Sequence, residues 1–143
     1  MTRQQVEKLI YMAGEARKNA RVPMSGFRVG AALLSVCGDI ITGCNVELSN
    51  MYESICAERC ALVKAISMGY SVFTAIAVVS DALYPISPCG FCRHTLIDYG
   101  KDIDVIMSNE DMSQIVIMTS AELLPGYNLE LSPASQPIDK LFD

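Results

Sequence analysis

The sequence predicts an α/β fold: a single mixed β-sheet of about five strands with helices packed on it. Three observations lead there. Short apolar runs rich in Val and Ile alternate with stretches whose apolar residues recur at helical spacing. The 143 residues match one domain, against a prior of roughly 150. The chain is 51% hydrophobic and 19% charged, with positive mean hydropathy. That composition excludes disorder and is enough to bury roughly two thirds of the unfolded surface.

Residues 4–20 read as an amphipathic helix, with Val6, Leu9, Ile10, Ala13 and Ala16 on one side and Glu7, Lys8, Glu15 and Lys18 mostly on the other. Pro23 and Gly26 stop it. The apolar run 28–36 is a buried strand, Gly38-Asp39 a turn, and 40–46 the returning hairpin strand. Residues 50–55 form a loop. A second helix, 56–68, is apolar at Ala61, Leu62, Ala65 and Ile66 and closes at Gly69. Strand 72–80 follows, then a loop over 81–88 with two prolines. Helix 89–99 stops at Gly100, and 103–107 and 115–118 are two further strands. Thr119 and Ser120 cap a short turn, 121–124. The order is αββαβαββ. It forms a single domain over residues 1–143, of which 128–143 are a mostly irregular tail, with no internal repeat and no linker.

Eleven Lys and Arg stand against 16 Asp and Glu, a net charge of −5. Without a basic cluster, the chain is a poor match for nucleic acid or an anionic membrane. No apolar run approaches the roughly 18 residues of a membrane span. The first 21 residues lack the apolar middle and cleavage site of a signal peptide. The expected location is the cytoplasm. There the six cysteines call for packing, metal binding or catalysis before disulfides.

Cys89-Gly90-Phe91-Cys92 follows Pro88 directly. Alone, C-x-x-C is ambiguous among zinc, redox chemistry and packing. Cys56-Ala57-Glu58-Arg59 sharpens it, because both cysteine groups fall at predicted helix N-termini, where free N–H groups favour thiolate. A crossover topology can bring two such termini to one sheet edge, so that three thiolates meet on one metal. Three protein ligands leave the fourth tetrahedral position of zinc open. Glu58 is then placed to move protons without coordinating; its bland alternative is a carboxylate that only complements the helix dipole. A guanidinium at Arg59 offsets the thiolate charge, or is a solvated helix charge.

These motifs resemble the zinc-dependent cytidine deaminases of the small homotetrameric type, within the cytidine and deoxycytidylate deaminase superfamily. The resemblance runs over roughly residues 5–127: Phe27-Arg28-Val29-Gly30-Ala31-Ala32, Thr42-Gly43-Cys44-Asn45-Val46-Glu47, the two cysteine motifs from Cys56 and from Ser87 to Arg93, and Glu122-Leu123-Leu124-Pro125-Gly126. It implies hydrolysis of cytidine and deoxycytidine to uridine and deoxyuridine plus ammonia, in pyrimidine salvage. It implies one Zn2+ per subunit on Cys56, Cys89 and Cys92, with Glu58 as proton shuttle and Arg59 softening the thiolate charge. By the same resemblance Phe27 is expected to face the pyrimidine, Asn45 and Glu47 to bind ribose hydroxyls, and the Ala57 backbone to contact the base. The resemblance also implies a small nucleoside as partner and a homotetramer in which Tyr127 lines a neighbour's site.

The chain departs from the family at Met24 and Met51, where Tyr is usual, at His94 in place of Gln, and at Tyr127, one residue earlier than the usual Phe. Flexible methionines for rigid tyrosines imply tolerance for modified cytidines. Two other readings stand beside this one. One is a blasticidin-S-type nucleoside deaminase, against which Glu47 after Asn45 argues. The other is a nonenzymatic zinc protein closed by Cys56, Cys60, Cys89 and Cys92, since residues four apart share a helix face.

Overall fold

Thr2 opens the first helix. Its hydroxyl accepts from the Gln5 backbone N–H, and the Gln5 side chain accepts from the Thr2 N–H at 2.8 Å, a reciprocal cap for α1 (Arg3–Arg17). The expected run to residue 20 is three residues too long. Lys18, Asn19 and Ala20 donate to Glu15, Ala16 and Arg17, a tightening into three-residue turns that ends the α-helix.

The computed structural model describes residues 1–127. The expected irregular tail, 128–143, lies outside the described residues. The remaining elements are β1 (Val29–Ser35), β2 (Ile40–Cys44), α2 (Ala57–Ser67), β3 (Phe73–Ser80), α3 (Gly90–Tyr99), β4 (Asp104–Ser108), β5 (Ile115–Thr119) and α4 (Ser120–Leu123), with one 3-10 turn at Met51–Glu53. The expected mixed sheet with packed helices is what the chain forms, with boundaries shifted by a few residues at most.

The five strands stand in the order β2-β1-β3-β4-β5. β1 is antiparallel to both neighbours, β3 and β4 are parallel, and β5 is antiparallel to β4. The alternation of side chains divides the core. Ala32, Ala75, Ala77, Val79 and Ile106 meet Leu9, Ile10 and Ala13 of α1 on one face. Ala31, Leu33, Ile76, Val78, Val105 and Met107 meet Ala61, Leu62 and Ala65 of α2 and Leu96 of α3 on the other. β3 is apolar and buried almost throughout, as expected of a central strand with helices on both sides. β5 is equally apolar but lies at the sheet edge, with Ile115, Val116 and Ile117 exposed.

The strand directions place the site. β2 and β3 both run antiparallel to β1 and so run parallel to each other. Each leads into a helix on the same sheet face, so α2 and α3 begin at the same end of the sheet. Glycine sets how closely the first of these sits: a Cβ on Gly43 would strike Ala57 O and Ala61 N, so α2 lies directly on the β2 backbone.

Candidate metal centre

Cys56 and Cys89 are the N-cap residues of α2 and α3, with extended backbones at φ −70°, ψ 155° and φ −66°, ψ 168°. Neither thiol caps its own helix, which leaves both sulfurs free to turn toward each other. Cys92, just inside α3, is completely buried. Cys89 Sγ lies 3.6 Å from Cys56 Sγ and 3.6 Å from Cys92 Sγ, and all three fall within 4.8 Å of one another.

A tetrahedral ion with Zn–S bonds of about 2.3 Å needs sulfurs about 3.8 Å apart. Two of the sulfur separations lie close to that value and the third within 4.8 Å, and the soft thiolate set suits zinc. Hydrogen bonding from Cys92 is the main influence that lowers the Cys56 thiol to about 5, against the cost of burial and with help from Arg59 and Cys89. The same contact with Cys56, together with burial, pushes the Cys92 thiol up.

The four-cysteine arrangement does not form. Cys60 stands outside the cluster. Cys60 N–H does donate to Cys56 O at 2.9 Å, so the two residues share a helical register, but the Cys56 sulfur turns to Cys89 and Cys60 does not follow it. Burial pushes the Cys44 thiol up, and the neighbouring Cys60 adds to it. Cys60 thus faces the β2 packing rather than the metal site. Three thiols would leave one position of a four-coordinate zinc open to a reactant, as in catalytic rather than structural sites.

Glu58 is the second residue of α2 and only 5% exposed. Burial pushes its carboxyl up to about 7; the Cys56 charge adds to this, while the local backbone N–H and the Cys92 thiol oppose it. Ala57, the first helical residue, is buried, and its N–H lies in the turn that has no intrahelical acceptor. Arg59 Nη2 donates to Ser54 O at 3.3 Å and to Cys56 Sγ at 3.7 Å. Its guanidinium lies 5.7 Å from the centre of the Phe91 ring. A shallow, open hollow lined by Cys89, Gly90, Phe91 and His94 lies beside the cluster.

The residues expected to bind the nucleoside are joined by their own hydrogen bonds. Asn45 Nδ2 donates to Phe27 O at 2.9 Å, and Asn45 Oδ1 accepts from Val29 N at 2.8 Å. Glu47, 5% exposed, accepts from both the N–H and the hydroxyl of Ser25 through Oε1, each at 3.1 Å. Ser25 Oγ in turn accepts from Phe27 N at 3.0 Å. The Phe27 ring is 37% exposed, so it is a partly open aromatic rather than a core one. Met24 and Met51 are both exposed. Tyr127 folds onto its own α3: its hydroxyl donates to Asp98 at 2.8 Å and its ring meets His94 edge-on at 5.5 Å.

Sequence reasoning assigns no role to Ser25, Asp81 or Arg93. Asp81 accepts from the Arg28 backbone N–H at 2.8 Å and from its guanidinium, next to Phe27. Ser25 and Asp81 act through partners remote in sequence, which leave no local pattern. Arg93 did leave a signal, since it closes the Ser87–Arg93 motif.

The description "Cytidine and deoxycytidylate deaminase zinc-binding region" belongs to the family model that matches residues 3–108. A cytidine deaminase of Sporosarcina psychrophila is 45% identical over 85% of this chain and 89% of its own length. The crystal structure of cytidine deaminase from Burkholderia pseudomallei superimposes with a TM-score of 0.81 at 40% identity, covering 88% of this chain and 98% of that one. A blasticidin-S deaminase of Bacillus cereus is more distant, 34% identical over 68% of this chain and 74% of its own. The chain belongs to the cytidine and deoxycytidylate deaminase family.

Proposed function

We propose that the chain hydrolyses cytidine and deoxycytidine to uridine and deoxyuridine with release of ammonia. The observation that carries this reading is the buried carboxyl of Glu58 in the first turn of α2, beside three converging thiols. Relatives named as cytidine deaminases, similar over most of the chain, support it.

Cys56, Cys89 and Cys92 would hold one Zn2+ per subunit. Bound zinc supplies a Lewis acid that makes water nucleophilic near neutral pH. Glu58 accepts a proton from the attacking water and delivers one to N3 of the pyrimidine. It then takes the proton of the hydroxyl added at C4 and transfers it to the amino group there, which departs as ammonia and leaves a carbonyl. Arg59 donates to Cys56 and offsets the charge of the thiolates. Phe27 offers its ring to the base, and the Ala57 backbone its N–H. The remaining hydrogen-bonding capacity of Asn45 and Glu47 serves the ribose hydroxyls.

Pyrimidine salvage in the cytoplasm is the proposed setting. Among the described residues no helix is long and apolar enough to cross a membrane. The proposed assembly is a homotetramer, in line with the exposed apolar side chains Leu83, Tyr84 and Phe91. In that assembly Tyr127 reaches a neighbouring site from its anchorage on α3. A panel of cytidine, deoxycytidine, cytosine and blasticidin S followed by ultraviolet absorbance tests the reading. Turnover of both nucleosides is expected, and turnover of blasticidin S alone would overturn it.

A further inference from the structure

We propose that Arg93 is a positioning residue for the three-cysteine centre: its guanidinium locks the Ser87-Pro88 turn that carries Cys89 onto the end of α4, and this lock holds the metal in place. The inference rests on the zinc reading above and adds a residue to it.

A ligand at a helix N-cap creates a problem of restraint. A Ser, Asp or Thr at that position would tie the entering chain to the helix through its side chain. Cys89 makes no such bond, because its sulfur turns to the cluster. The turn before it has to be held from elsewhere, and Arg93 does so with three donors. Nε donates to Pro88 O at 2.8 Å, Nη2 to Ser87 Oγ at 2.7 Å, and Nη1 to Leu123 O at 3.2 Å. The Arg93 backbone N–H meanwhile donates to Cys89 O at 3.0 Å, so one residue grips both sides of the ligand.

The contact with Leu123 brings in a distant part of the chain. α4 is itself fixed by a reciprocal cap between Thr119 and Glu122, and Ser120 Oγ donates to Gly100 O just beyond α3. Arg93 therefore rests its turn on a secured element. Its role differs from that of Arg59, which touches a sulfur directly. Arg93 acts on the backbone around a ligand and requires the planar fork of a guanidinium. An ammonium carries the same charge but cannot span three acceptors set by that fork.

Zinc release from purified, zinc-loaded protein to a chromogenic chelator tests this, read as a first-order rate far below the melting temperature. Arg93→Lys and Arg93→Gln should both accelerate release by about tenfold or more, the usual scale for groups that orient metal ligands. Failure of Lys to rescue separates geometry from charge. Ser87→Ala removes one bond of the three and should accelerate release about two- to fivefold. Two controls should match the wild type: Arg3→Gln on the α1 surface, and Ile106→Val, which weakens the core on the opposite sheet face without touching the turn. Equal release from wild type and both Arg93 variants overturns the proposal. If the Arg93 variants do not fold, an unchanged rate in Ser87→Ala overturns it. Wild-type protein that binds no zinc would overturn the zinc reading and this inference together, whereas normal binding with unchanged release overturns this inference alone.

Discussion

Asn45 holds Phe27 in place. Its amide spans the strand entrance, donating to Phe27 O at 2.9 Å and accepting from Val29 N at 2.8 Å. A residue expected to bind ribose thus first shapes the backbone beneath the aromatic ring expected to meet the base. Substrate contact and loop order are consequently one property here, and variants at Asn45 should affect both.

Asn45→Ala should lower kcat/KM for cytidine by at least about tenfold and lower stability by about 1–3 kcal/mol, because two backbone groups lose their partner. Turnover of free cytosine, which has no ribose, should fall as well. Parallel denaturant melts and kinetics on both substrates check this. A loss confined to the nucleoside, with unchanged stability, would reduce Asn45 to a ribose contact.

Acid should weaken the β3–α1 corner. The buried Arg17 guanidinium donates to Ser80 O at 2.7 Å and lies near Asp81 and Glu110, at 3.7 and 2.6 Å. Hydrogen bonding from Arg28 holds the Asp81 carboxyl below its ordinary value of 3.8. A carboxyl depressed in the folded state stabilises fully above that ordinary value and loses the contribution as pH falls through the lower, folded one. Asp81→Asn should therefore melt below wild type at pH 7, with the gap closing under about pH 4. A gap that persists unchanged at pH 3 would refute the ionic account.

Cys60→Ser should retain zinc, while Cys56→Ser loses most of it, because Cys60 stands outside the sulfur cluster. Metal content after desalting measures this directly. Loss of zinc in Cys60→Ser would restore the four-cysteine site.

Met24 and Met51 are both exposed and flexible, where a Tyr ring would be rigid. N4-methylcytidine should be a substrate of the wild type, with its kcat/KM relative to cytidine falling in Met24→Tyr or Met51→Tyr. Complete inertness of the wild type, or unchanged ratios in both variants, would contradict the wide-pocket account.

Much of the architecture is legible because its signals are local. The apolar run of β3, the stop at Gly100 and the Thr119-x-x-Glu122 cap each lie within a few residues of what they specify. The convergence of Cys56 with Cys89 and Cys92 was also accessible, since it follows from helix starts and strand order. Other features depend on distance in sequence. Arg17 finds its acceptor at Ser80, 63 residues away, so its burial has no local sequence signal. β5 has the composition of a central strand, and only the strand order makes it an edge. The spacing of Cys56 and Cys60 left a four-cysteine site open as an alternative, and only the three-dimensional convergence of Cys56 with Cys89 and Cys92, without Cys60, closes it.

The most direct test of the central claim is the fate of turnover and metal in Glu58→Gln. Gln keeps the shape of the buried side chain but cannot accept and return a proton. Conversion of cytidine to uridine, followed by absorbance, should fall by about 10²- to 10⁴-fold while zinc content and melting temperature stay close to wild type. Retention of more than about a tenth of the wild-type rate in the zinc-loaded variant would contradict the account, since proton transfer would then not depend on Glu58.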